Sequence, residues 1–199
     1  MSVQHIFTTP IAEYSWDRNP ETLVKLKRQI ADKNLNFPFN SSPEMLEFTD
    51  WILTNTERYA YNINKNNGYI LLRDMWHRTI TEKDSYVPPH IHPSVWCIGT
   101  FYFDDEQGDL VLLDPRGAHD FELKEVIDTD GNTHSNCVDY YHKPKANSCV
   151  MFPSYIKHLV LPSKNDKRSR TAISWNILYN QEDVLLKIFN PPQHLYRKL

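Results

Sequence analysis

A chain of 199 residues is long enough for one domain with a sizeable core and short for two. Apolar residues make up 40% and charged residues 24%, the composition of an ordinary globular protein, and a net charge of −3 argues against a general nucleic-acid binder. No apolar run reaches the length of a membrane span, no signal peptide is evident, and three cysteines without a paired motif read as free thiols, so a cytoplasmic location is expected. Aromatic residues at 13%, with 13 Pro against 5 Gly, indicate a β-rich chain with stiff connections.

In chain order, His5 to Tyr14 reads as a short strand that Pro10 places at an edge. Asn19-Pro20-Glu21 combines an N-cap, a proline at the first helical position and an acidic first turn, predicting a helix that ends near Asn34. Ser42-Pro43-Glu44 repeats that signal. Met45, Phe48, Ile52 and Tyr59 at helical spacing carry a second helix to about Tyr61.

After Gly68 the pattern turns to strands. They are expected over Tyr69–Ile80, Ser94–Phe103, Asp109–Leu113, Phe121–Ile127, Val138–His142, Ser148–Phe152, His158–Leu161 and Thr171–Tyr179, with a loop at Pro88-Pro89. Two helices followed by about eight short strands predict a sandwich or barrel with the helices on an outer face. The tail, Gln181 to Leu199, is apolar enough to cover the barrel as a helix or strand, or to support a homodimer. A single domain over residues 1–199 is expected: a helical part over 1–68, a β core over 69–179 and a tail over 180–199.

The chemistry centres on His90-Ile91-His92-Pro93, where a proline-rich loop meets an aromatic strand. Alternate strand residues share a face, so His90 and His92 can present two imidazoles to one point. His158 supplies a third, and neutral imidazole suits iron, zinc, copper and nickel alike. Arg170, after a charged loop, offers the planar fork that pairs with a carboxylate. The competing reading leaves it in the solvated cluster of Lys164, Lys167 and Arg168. Most of the 9 His, including His5, His119, His134 and His194, read as ordinary surface or core residues. Trp76, Trp96, Tyr102, Phe103 and Trp175 are either pocket or core, and Arg116 is a turn residue that could stand at a barrel rim. Cys97 falls out of step with the site and reads as packing. Ser154 lacks the sharp elbow of a hydrolase nucleophile.

An ordered set of phrases resembles the iron(II), 2-oxoglutarate-dependent oxygenases of the double-stranded β-helix, or jelly-roll, fold. The phrases are Phe7-Thr8-Thr9-Pro10-Ile11, His90-Ile91-His92-Pro93 leading into Gly99-Thr100-Phe101-Tyr102, Asp114-Pro115-Arg116, Phe152-Pro153-Ser154 with His158, and Arg170 with Asn176. They are most similar to the small oxygenases that write His-x-His. The resemblance implies a mainly β, cupin-like fold with His90, His92 and His158 as metal ligands. It implies Arg170 on the distal carboxylate of 2-oxoglutarate and Asn176 helping to bind that cosubstrate. With dioxygen, the implied reaction is hydroxylation of an unidentified substrate, a small molecule or a protein side chain, with release of succinate and carbon dioxide.

Most of the superfamily places Asp or Glu where this chain has His92. That departure leaves three outcomes open: a working three-histidine oxygenase, a site for another metal, or binding without turnover. An alternative frame makes His92 the first ligand, with Ser94 at the carboxylate position. A cupin-like three-histidine metalloprotein that does not use 2-oxoglutarate, and a non-catalytic β-domain, are the competing functions. No nucleic-acid or membrane partner is expected.

Overall fold

The protein, seen in a computed structural model, is described over residues 8–32, 42–80, 86–105, 108–115, 139–162 and 170–199. For Ile80 and Arg170 the description covers the backbone alone. The described strands form two facing sheets. β1 (Ala12–Ser15), β2 (Tyr69–Ile80), β4 (Cys97–Tyr102), β7 (Ser148–Pro153), β9 (Arg170–Asn180) and β10 (Tyr196–Lys198) make a six-stranded sheet in the order β1-β7-β4-β9-β2-β10. β3 (Val87–His90), β5 (Leu110–Leu113), β6 (Asp139–His142) and β8 (His158–Val160) make a four-stranded sheet in the order β3-β8-β5-β6. All described pairings are antiparallel. This is the jelly-roll fold that the resemblance implies, one form of the sandwich or barrel that the strand spacing predicts.

The two helices start where their caps direct. α1 (Pro20–Ala31) begins with the Asn19 side chain accepting from the Glu21 backbone N–H, and α2 (Pro43–Asn62) begins with Ser42 accepting from Met45. α1 stops at Ala31, with Asp32 as its C-cap, short of the predicted end near Asn34, which lies outside the described residues.

Their apolar stripes cover the outer face of the six-stranded sheet. Leu23, Leu26, Phe48, Trp51 and Ile52 join Cys97, Phe101, Ile173, Trp175 and Ile177 in one buried cluster. Phe48, Trp51, Phe101 and Trp175 meet mostly edge to face, the arrangement aromatic quadrupoles favour. Burial of each large side chain is worth about 1.5–3 kcal/mol, so this cluster dominates the stability of the fold. Gly99 lies under the Trp175 indole, where an added Cβ would come within 2.3 Å of the ring.

The alternate residues of β4 and β9 face the other sheet. Ile98, Tyr102, Val150 and Phe152 form a second, smaller core with Leu110 and Leu112. The strand parity that buries Phe101 and Trp175 under the helices therefore turns Thr100, Ala172, Ser174 and Asn176 toward the interior between the sheets.

Several elements differ from expectation. The first strand starts at Ala12 rather than His5; residues 1–7 lie outside the described residues. Pro88 and Pro89 are not in a loop but in β3. Among the described residues β3 pairs only with β8, at the edge of its sheet, so its prolines need no partner on the other side. The strand expected from Ser94 begins at Cys97, because Ser94 takes a positive φ of 63° in the preceding turn. In the tail, α3 (Val184–Phe189) buries no residue, while a 3-10 turn (Gln193–Leu195) buries Leu195 and leads into β10, which pairs with β2. The expected strand Phe121–Ile127, together with Arg116, His119, His134 and Cys137, lies outside the described residues.

Candidate metal centre

His90 is the last residue of β3 and pairs in register with His158, the first residue of β8. His92 does not sit on a strand. It occupies the turn between β3 and β4, where its backbone N–H donates to Ser154 O and the Ser154 hydroxyl donates to Val95 O. Ser154 is thus a staple for the histidine turn. Convergence of His90 and His92 comes from that pinned turn rather than from strand alternation.

The three rings gather closely. Centroids are 4.2 Å apart for His90 and His158, and 5.2 Å apart for His92 with either partner. One ligating nitrogen from each ring lies within 4.8 Å of the others. Each Nδ1 meets an oxygen: Pro88 O at 2.8 Å for His90, Ile156 O at 2.9 Å for His158, and Asn176 Oδ1 at 2.7 Å for His92. A carbonyl oxygen only accepts, so Nδ1 carries the proton on each ring and Nε2 is left with its lone pair. This is the outer support that metal-binding histidines ordinarily have. The residues therefore fit a divalent first-row ion.

Burial pushes the His158 pKa down to about 4, against a smaller opposing pull from Ile156 O. Burial also lowers that of His92, partly offset by the hydrogen bond to Asn176. Both rings are therefore held in the neutral form that ligates. Phe152 meets His158 edge to face at 5.1 Å, and Trp76 stacks on His92 at 5.7 Å, fixing the ring planes.

The rings open onto a cavity of about 150 Å³ between the two sheets, which Trp76, Thr100, Tyr102, Ala172 and Ser174 also line. Among the aromatic candidates, Trp76 and Tyr102 reach this cavity. Trp96, Phe103 and Trp175 belong to the helix-facing core, as does Cys97. The Thr100 and Ser174 hydroxyls are hydrogen-bonded at 3.0 Å. Arg170 begins β9 opposite Ile80, two and four positions before the cavity residues Ala172 and Ser174. A larger surface groove of about 670 Å³, lined in part by Tyr14, Glu57, Arg58 and Lys198, holds none of the predicted site residues.

Asn176, expected beside the cosubstrate, has both ends of its amide engaged. Its Oδ1 meets His92 and its Nδ2 donates to Asp74 Oδ2 at 3.2 Å. No local motif in the sequence singles out Asp74. It stands opposite Asn176 because β2 carries a register shift between Leu72 and Asp74, with Arg73 as the extra residue. Strand alternation was the available signal, and the bulge breaks its phase.

Among the described residues no helix is long and apolar enough to cross a membrane. No curated protein sequence matches this chain. Solved structures share its fold at low identity. An alpha-ketoglutarate-dependent epimerase, SnoN, from nogalamycin biosynthesis is 11% identical, with a TM-score of 0.60 over 86% of this chain and 79% of that one. HygX from Streptomyces hygroscopicus, solved with nickel and 2-oxoglutarate bound, is 8% identical, with a TM-score of 0.55 over 85% and 82%. A Pseudomonas putida prolyl-4-hydroxylase is 14% identical, with a TM-score of 0.53 over 88% and 90%. One matched oxygenase is longer, and the chain spans 57% of its length. The profile of the family described as "Putative 2OG-Fe(II) oxygenase" matches residues 74–176, more than half of the chain and the whole stretch from Asp74 to Asn176. This chain belongs to that family of oxygenases, which use iron(II), 2-oxoglutarate and dioxygen.

Proposed function

We propose that His90, His92 and His158 hold iron(II), that Arg170 receives the distal carboxylate of 2-oxoglutarate, and that the protein hydroxylates a small molecule or protein side chain. The observation that carries this reading is the convergence of three imidazoles, each with its Nδ1 on an acceptor oxygen, at the cavity between the sheets. The chemistry supplied by bound iron(II), 2-oxoglutarate and dioxygen is oxidation of a substrate C–H bond coupled to breakdown of 2-oxoglutarate to succinate and carbon dioxide.

The chain's own contributions are binding and orientation. Pro88 O, Ile156 O and Asn176 hold the rings with Nε2 bare. Trp76 stacks on His92 and Phe152 meets His158 edge to face, which holds those two ring planes. Arg170 stands on the strand that carries Ala172 and Ser174, a position from which it would meet the far carboxylate of a dicarboxylate held by a metal at the histidines. The Thr100 and Ser174 hydroxyls offer hydrogen bonds on the way. Residues 1–199 are taken as one domain, its helices being part of the main core.

The test is anaerobic addition of iron(II) and then 2-oxoglutarate, followed in the visible range. A charge-transfer band appearing only after the second addition supports the proposal, and absence of iron binding overturns it. Iron binding without the band favours a second reading, a three-histidine metalloprotein that does not use 2-oxoglutarate. The presence of His92 where most of the superfamily has a carboxylate is the specific observation behind that alternative.

A further inference from the structure

We infer that Asp74 and Asn176 act as positioning residues, a two-part latch that fixes the ring tautomer of His92. The inference rests on the proposed role of His92 as a metal ligand. A neutral histidine ligates through Nε2 only if the ring proton sits on Nδ1, and which nitrogen carries it follows from the hydrogen bond the other ring nitrogen makes. For His90 and His158 the deciding partner is a backbone carbonyl, Pro88 O or Ile156 O, which cannot change from acceptor to donor. His92 depends instead on a side-chain amide. Turned by half a rotation, the Asn176 amide would present its NH2 group to Nδ1. The ring proton would then move to Nε2 and block the ligating lone pair.

Asp74 removes that choice. Its carboxylate accepts from Asn176 Nδ2 at 3.2 Å and has nothing to donate, so the amide oxygen must face His92. The same Oδ2 atom is 3.2 Å from Arg73 Nε. Much of the Asp74 charge is therefore met at the surface, its direct attraction is the smallest of the effects on His92, and what chiefly passes along the chain is orientation. Three strands place the latch: Asn176 on β9 lies between Asp74 on β2 and Ile98 on β4, and the β2 bulge sets that pairing. A carboxylate ligand has no tautomer to select, whereas a histidine in that position does. The latch supplies what the exchange of carboxylate for His92 demands.

The experiment uses the full chain with 15N-labelled histidine, metal-free and at mildly alkaline pH, with long-range proton–nitrogen correlation of the ring nitrogens. Wild type is expected to show the Nδ1–H tautomer at His92, and Asp74→Ala and Asp74→Leu, which leave no acceptor at position 74, to move it toward Nε2–H, with His90 and His158 unchanged. Cobalt(II) titration should then show affinity about 10–100-fold weaker in both variants, the usual cost of removing a ligand's outer partner. The exchanged pair Asp74→Asn with Asn176→Asp should restore both readouts, because a carboxylate at position 176 accepts from Nδ1–H and the amide at 74 donates to it. An unchanged tautomer in the single variants overturns the inference, as does failure of the exchanged pair to restore it. If wild type binds no cobalt while the tautomer shifts as expected, the latch stands and the metal reading of the site falls.

Discussion

His90 and His158 are direct register partners across the β3–β8 ladder, and their ring centroids lie 4.2 Å apart. Residues separated widely in sequence thus become the two closest members of the histidine cluster. His158 is buried and neutral, and His90 stands at the rim of the same cavity. Replacing His158 by Ala leaves two imidazoles with no third donor. Cobalt(II) or iron(II) affinity should fall by about 100-fold or more, beyond the cost of losing an outer partner. Isothermal titration, with circular dichroism to confirm the fold, checks this.

Arg170 should separate cosubstrate from metal. Arg170→Ala is expected to weaken 2-oxoglutarate binding by about 10–100-fold, the equivalent of a charge-assisted hydrogen bond of about 1.5–3 kcal/mol, while metal affinity stays near wild type. Titrating 2-oxoglutarate into the anaerobic iron(II) protein measures the first, and cobalt titration the second. Equal loss of both would assign Arg170 to the structure rather than to the cosubstrate.

The pairing of His142 with Glu13 predicts an acid-sensitive fold. His142 is 2% exposed and its Nδ1 lies 2.9 Å from Glu13 Oε1. Burial lowers the His142 pKa below its ordinary 6.5 despite the attraction of Glu13. The lowered Glu13 pKa includes attraction to a charged His142, against the desolvation that raises it. The depressed His142 pKa governs at neutral pH, so the contact there is a neutral N–H donor on a carboxylate. As pH falls through about 6.5 the unfolded chain takes up a proton that the folded chain refuses, so stability is complete above that value and declines below it. Thermal midpoints should drop from about pH 7 to about pH 5, and less steeply in His142→Gln, with His92 and His158 supplying the remaining slope in metal-free protein.

Gly99 should tolerate no side chain. In Gly99→Ala the new Cβ would meet Cε2 and Cζ2 of the fully buried Trp175 at 2.3 Å, and the indole is hemmed in by Phe48. Destabilisation of about 1–3 kcal/mol is expected, measured by urea unfolding. An unchanged midpoint would mean that the helix layer yields more readily than its burial implies.

Local signals in the chain suffice where local physics decides. Asn19 and Ser42 cap helices at the predicted residues, because a side-chain oxygen and a following proline act within one turn. Tyr69–Ile80 is a strand over its predicted length. β3 is not legible in the sequence, because Pro88 and Pro89 break strands in general and become harmless only where, among the described residues, the strand pairs with β8 alone. Asp74 was invisible because its partner stands 102 residues away and its facing direction depends on a bulge.

The sequence by itself determined which residues are candidates for the chemistry: His90, His92 and His158 are of the side-chain type that ligates a metal, and their order with Arg170 and Asn176 carried the family resemblance. The tertiary structure alone decided how those rings are aimed. The oxygens that accept from Nδ1–H, and so leave Nε2 bare, belong to Pro88, Ile156 and Asn176, and the last of these is itself oriented by Asp74 from another strand. Ring identity is written in the chain, but a tautomer is set by whichever donor or acceptor the fold brings within about 3 Å of it.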